Sequence, residues 1–363
     1  MHSAVTSPGA AGPAGQADVL IVSLGSTEGL RRADEELRDA LQRAGASVVL
    51  SRARPTRPTR TLMLTDLAWA RAARATTIRA LAEIQSSRPA GSPPPAIVYS
   101  STTAALLWPR PGAIRFDAPS AGNRSGRHGL WQRPLERRRL GQAPLLLPWS
   151  EGGLREAPAM ARSGESAVVL PVPVEPSGAA ASTTGRDIAA ITYAANPAKK
   201  GFDRVLAAWR GVREELPPGV PRELVVAGAS ARELATAGFG FGLQEGVRIV
   251  GALPSAEYRA LVRRARVFMC APRREDYGIA QLEALADGCL LVTTPAPGPY
   301  AALPIARALD ARLVSEDLAS ALRTALEDPL ADYAARAREA LVPFSRAAAD
   351  RVVAEELLPR LLA

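Results

Sequence analysis

Short uninterrupted apolar runs recur along the chain, each followed by a polar or glycine-bearing loop and then by helically spaced residues. The first run, 17–24, is long enough for one buried strand and too short for a buried helix. The loop Gly25-Ser26-Thr27-Glu28-Gly29 follows, then a segment that sets Leu37, Leu41 and Ala44 on one face, then the apolar run 46–50. Strand, loop, helix, strand is a βαβ unit, and its two strands must run parallel. Runs 96–100 and 113–117 read as further strands, with the proline stretches 55–58 and 93–95 as loops. Beyond 167 the rhythm starts again: runs 188–193, 223–227, 247–250, 265–270 and 290–293 alternate with helical stretches. The pattern predicts an α/β chain of two doubly wound parallel-sheet domains, 17–166 and 167–346. A disordered tail, 1–16, precedes them, a small-residue linker spans 177–185, and a final helix, 347–363, returns to pack on the first domain.

Composition narrows the function. The 363 residues are 47% hydrophobic, yet no apolar run approaches the ~20 residues that span a bilayer. The tail is built of small residues, Pro and Gly, without the charged and apolar regions of a signal peptide. Cys270 and Cys289 fall on core strands and read as small hydrophobes of a reducing compartment, which places the chain in the cytoplasm. The two histidines, His2 and His128, leave a zinc site or a serine-type triad little to work with. A net charge of +9 with only 5% aromatic residues carries no nucleic-acid motif. Arg124, Arg127, Arg133, Arg137, Arg138 and Arg139 crowd into one segment. They suit solvated helix surface, or else an anionic acceptor or the anionic inner face of a membrane.

Two features carry chemistry. The chain has 45 basic residues but only two lysines, Lys199 and Lys200, adjacent on a loop between a strand and a helix. A lysine is a compact point charge suited to phosphate, where arginine needs room for its fork. The other feature is the stretch Glu275-Asp276-Tyr277-Gly278-Ile279, with a helix starting near Gly278 and a second carboxylate, Glu283, along it. Gly288 ends that helix as a C′ glycine. A helix N-terminus has amide groups without internal partners and so forms an anion site. Carboxylates beside an anion site grip something neutral and hydroxyl-rich attached to the anion, and a sugar nucleotide fits that description.

In this order, the lysine loop, Arg248–Leu253 and the Glu275/Glu283 pair, the second domain resembles the GT-B glycosyltransferases, in particular the retaining enzymes of glycosyltransferase family 4. The first domain matches more loosely, through the Gly25–Gly29 loop and Pro148-Trp149-Ser150-Glu151. The resemblance implies two Rossmann-like domains facing across a cleft, with the nucleotide-sugar donor held by the second. It implies that Glu275 holds the donor sugar, Glu283 the ribose, and Lys200 the diphosphate, with Lys199, Tyr277, the amides around Gly278 and Ile279, Gly251 and Gly25 contributing to donor binding. Asp117, at a strand end in the first domain, belongs to the catalytic set. No cofactor or metal is expected, and the acceptor is a glycan, a lipid-linked sugar or a small molecule. Two departures stand out: Ala195 occupies the position where the family carries arginine, and Phe116 precedes Asp117 where relatives carry histidine. They leave a non-catalytic scaffold, or a nucleotide-sugar epimerase, as alternatives.

Overall fold

The computed structural model describes residues 17–54, 59–124, 126–161, 166–178, 185–239 and 246–363. The expected tail 1–16, the 55–58 stretch and most of the 177–185 linker lie outside them. Two compact units emerge: one up to Trp149 with Leu154–Leu170 and Ala349–Ala363, the other of Ser150–Gly153 and Pro171–Ala348.

The first unit contains β1 (Val19–Ser23), β2 (Val48–Arg52), β3 (Ala96–Tyr99), β4 (Ala113–Phe116) and β5 (Leu146–Pro148). They form one parallel sheet in the order β2-β1-β3-β4-β5. Side chains of β1 alternate between two cores. Leu20 and Val22 join Ala73, Ala80 and Ile84 of the helix Leu62–Ser86. Val19 and Ile21 join Leu37 and Leu41 of the helix Glu28–Arg43, together with Ala349, Val353 and Leu357. Thr27 caps the helix Glu28–Arg43, its Oγ1 accepting from Leu30 N at 3.2 Å. β2 starts two residues later than the apolar run suggested. The turn that closes this helix uses Ala46, whose amide donates to Leu41 O.

The first unit also extends to Leu170, beyond the boundary expected at 166. Val168 N donates to Leu146 O and Leu170 N to Pro148 O, each at 2.9 Å, so the segment continues the sheet edge beside β5. Both side chains are buried, which removes them from any linker.

The second unit contains β6 (Ile188–Tyr193), β7 (Leu224–Ala227), β8 (Val247–Gly251), β9 (Ala265–Cys270) and β10 (Leu290–Thr293). All pair in parallel, in the order β10-β9-β6-β7-β8. The order runs outward in both directions from the neighbours β6 and β9. Chain connections therefore leave those two strands on opposite sides and open a crevice at their carboxyl ends, where open α/β sheets bind ligands. The lysine loop follows β6 and the Glu275 loop follows β9. Among the described residues no helix is long and apolar enough to cross a membrane.

Candidate functional site

Backbone packing brings the two loops together. Gly201, at φ 62°, opens the helix Phe202–Arg213, and a Cβ there would lie 1.8 Å from Ala271 O. Arg273 N donates to Lys199 O at 2.9 Å. A third loop, after β10, presses in from beside them: Glu275 N donates to Pro297 O at 3.0 Å, and a Cβ on Gly298 would meet Glu275 O at 2.2 Å.

On this base the charges pair across the loops. Lys200 Nζ is 2.6 Å from Glu275 Oε2, and Lys199 Nζ is 2.6 Å from Asp276 Oδ2. Arg274 Nε donates to Asp276 Oδ1 at 3.0 Å. Gln281 Nε2 donates to Glu275 Oε2 at 3.0 Å. Gly278, at φ 94°, is the N-cap of the helix Ile279–Ala286, and no side chain caps the helix. Its first amides, with their share of the helix dipole, come directly after the Glu275 loop.

Glu283 is the buried carboxylate of the same helix. Its Oε1 lies 3.4 Å from Arg259 Nη1. Arg259 also donates to Asp287 Oδ2 at 2.6 Å and to Glu175 O at 2.9 Å, and Asp287 accepts from Ser177 N at 2.8 Å. Burial works against the Arg259 charge, but Asp287 and Glu283 outweigh it and hold the guanidinium above its ordinary pKa. Burial, with the Glu283 charge adding to it, pushes the Tyr258 phenol well up.

The structure gathers Lys199, Lys200, Glu275, Gly278, Ile279 and Glu283 into one region of the second unit, on two strand ends and one helix. The other candidates are placed as follows. Tyr277 is buried with its hydroxyl accepting from Val172 N at 3.0 Å, so that oxygen is committed to the scaffold. Gly251 ends β8, two strands from β6, or about 10 Å across the sheet, and its carbonyl accepts from Gly228 N. Gly25 and Asp117 belong to the first unit. Gly25, at φ 52°, lies in the loop after β1 and offers its carbonyl to Arg31 Nη1 at 3.0 Å. Asp117 follows β4 and accepts from its neighbour Ala118 N at 2.8 Å. Phe116, where relatives carry histidine, is core. The His128 side chain lies outside the described residues.

The arginine cluster divides once folded. Arg124 grips Asp66 with Nε and Nη2, at 2.8 and 2.9 Å. Arg133 donates to Gly126 O and Gly129 O, and Arg139 covers the Trp108 ring at 5.1 Å. Arg137 and Arg138 stay exposed. Trp108 and Trp149 are buried, Trp149 beneath Arg115 at 5.2 Å. A pocket of about 640 Å³ lies along this part of the first unit, lined by Pro119, Leu130, Arg133, Glu136, Arg137 and Pro158 among others.

Residues the motif did not signal are Asp276, Arg274, Gln281 and Arg259. Only Gln281 had a local clue, two helical positions before Glu283. Residues 187–332 match the glycosyl transferases group 1 family. The matched segment is 146 of the 363 residues, less than half of the chain. The match takes in all five strands of the second unit and every residue of the charged cluster. Nearly the whole chain is similar to several solved glycosyltransferase structures. WaaG, a glycosyltransferase involved in lipopolysaccharide biosynthesis, is 16% identical with a TM-score of 0.64, over 92% of this chain and 99% of its own. HepE of Anabaena, solved with UDP and glucose, is 15% identical with a TM-score of 0.63, over 94% and 100%. The α,α-trehalose 6-phosphate synthase of Burkholderia multivorans is 13% identical with a TM-score of 0.63, over 95% and 98%. At these identities the likeness is one of fold, the GT-B class of two Rossmann-like units. No curated protein matches the sequence.

Proposed function

We propose that the chain is a retaining hexosyltransferase that takes its sugar from a nucleotide-sugar donor without a metal. The observation that carries the reading is the Lys200–Glu275 pair beside an uncapped helix N-terminus at the carboxyl ends of β6 and β9. Without ligand the two charges neutralise one another. A donor replaces that pair with two better-matched contacts: Lys200 turns to the diphosphate and Glu275 to sugar hydroxyls. Glu283, oriented by Arg259, accepts from the ribose hydroxyls. HepE, of the same fold, was solved with UDP-glucose, which makes UDP the first nucleotide to try.

In the transfer step the bond from the anomeric carbon to the diphosphate oxygen breaks, and a bond from the acceptor oxygen forms on the same face. The acceptor proton passes to the departing diphosphate. Negative charge grows on that leaving group, and Lys200, turned to the diphosphate, meets it together with the amides at Gly278 and Ile279. No side-chain nucleophile is required. Asp117 and the pocket lined by Arg133 and Arg137 lie in the first unit and are assigned to the acceptor: a glycan, a lipid-linked sugar or a small molecule. Cytoplasmic location, with Arg137 and Arg138 against an anionic membrane, completes the proposal, and low-salt vesicle sedimentation tests the last part.

Thermal shift of the wild type and Glu283→Ala against UDP, GDP, ADP and dTDP decides the donor site. One nucleotide raising the melting temperature of the wild type alone supports it. Equal responses from both proteins would remove Glu283 from the site, and no response from either would favour a non-catalytic scaffold. Release of epimerised sugar without any acceptor would instead identify an epimerase, and the anomeric configuration of a transfer product, read by NMR, tests retention.

A further inference from the structure

Gln281 is a fully interior amide on the helix Ile279–Ala286. Its Nε2 donates to Glu275 Oε2, the same oxygen that Lys200 holds, while nothing among the described residues bonds to Glu275 Oε1. The other half of the amide is unsatisfied: Gln281 Oε1 is buried and has no hydrogen-bond partner. Turning the amide over would set its carbonyl against a carboxylate oxygen, acceptor against acceptor, so the observed orientation is the one Glu275 dictates. A buried carbonyl without a donor costs stability. Leucine would fill the same slot, between neighbours as apolar as Leu282 and Leu285, without that cost. The amide therefore does something that packing does not.

Lys200 has two tasks in the proposed reaction, and this inference rests on that reading. When a donor enters, its diphosphate draws Lys200 away from Glu275. The contact left on Oε2 is Gln281. We propose that Gln281 is a positioning residue. Its N–H holds Glu275 Oε2 while Lys200 changes partners, so that Oε1 stays turned towards the hydroxyls of the donor sugar. Being neutral, it does this without competing with the diphosphate for Lys200.

The test is calorimetric titration of the wild type, Gln281→Leu and Gln281→Glu. The probes are the nucleoside diphosphate that binds the wild type best among UDP, GDP, ADP and dTDP, and its glucose conjugate. The leucine variant should bind the free nucleotide within about twofold of wild type, keep or raise its melting temperature, and bind the sugar conjugate about tenfold more weakly. Gln281→Glu should show the same loss at neutral pH and recover as the pH falls, because the protonated carboxyl can again donate to Glu275. The leucine variant should not recover. A leucine variant that binds the sugar conjugate as the wild type does overturns the inference. So does one that loses nucleotide and sugar nucleotide equally, which marks a merely structural role. A wild type that binds no nucleotide and no sugar nucleotide removes the donor reading itself, and this inference with it.

Discussion

Lys200 and Glu275 stand 75 residues apart in the chain and 2.6 Å apart in the fold. Their chemical types were legible, because two lysines in an arginine-rich chain and two carboxylates around a helix start point to a phosphate and to hydroxyls. Their partners were not. Arg274 braces Asp276 from two residues away on the same loop, but Asp276 meets Lys199 only through loop-to-loop packing, which nothing in local spacing encodes. The same holds for Tyr277: it lies beside that carboxylate in sequence and turns its hydroxyl to Val172. The two carboxylates should separate in assay. Glu283→Ala is expected to raise the nucleotide dissociation constant about tenfold to a hundredfold, the loss of a charge-assisted bond. Glu275→Ala should spare nucleotide binding and cut turnover about a hundredfold or more. Titration and initial rates check both, and full activity in either variant would discard that residue's role. The cysteines supply a prediction about burial. Burial pushes the Cys289 thiol up to about 12 and raises Cys270 as well. At pH 8 both should resist iodoacetamide in the native protein and react once it is unfolded, as mass spectrometry would show.

Strands were easier to read than helices, and the reason lies in how each element buries its surface. A parallel strand covered on both faces is apolar nearly throughout, and β6, and β9 apart from the half-buried Arg266, announce themselves in that way. The helix Leu62–Ser86 does not. It packs through Ala70, Ala73, Thr76, Thr77 and Ala80, residues too small or too polar to leave an apolar stripe. The loops that build the site depend on glycines for close approach. Gly201→Ala would drive a methyl group into Ala271 O at a backbone angle that disfavours any side chain. It should destabilise the second unit by about 1–3 kcal/mol or more, and weaken nucleotide binding by moving Lys200. Urea melts followed by the Trp209 fluorescence of the adjoining helix measure the first effect. An unchanged midpoint would mean that the loops separate cheaply and that the site is less rigid than its packing implies.

At the scale of the molecule, parallel order could be inferred from βαβ rhythm, but strand order could not. The crossover that makes β6 and β9 neighbours is what places the lysine loop against the Glu275 loop. The first unit is completed by the last 15 residues of the chain, Ala349–Ala363, with Val353 and Leu357 fully buried in its core. Leu357→Ala should therefore cost the first unit about 2–5 kcal/mol while nucleotide affinity, which belongs to the second, holds. Differential scanning calorimetry with and without nucleotide separates the two. An affinity loss that matched the stability loss would mean that the donor site depends on the first unit's integrity. The same arrangement sets a timetable for biogenesis. A ribosome adding about 5–20 residues per second delivers β1 to β5 early and then spends roughly 10–35 s on the second unit before Val353 and Leu357 emerge. Throughout that interval one face of the nascent sheet is covered by the helix Glu28–Arg43 but lacks Ala349, Val353 and Leu357, and the uncovered part is a binding site for chaperones and a hazard on crowded polysomes. The chain closes its first domain last.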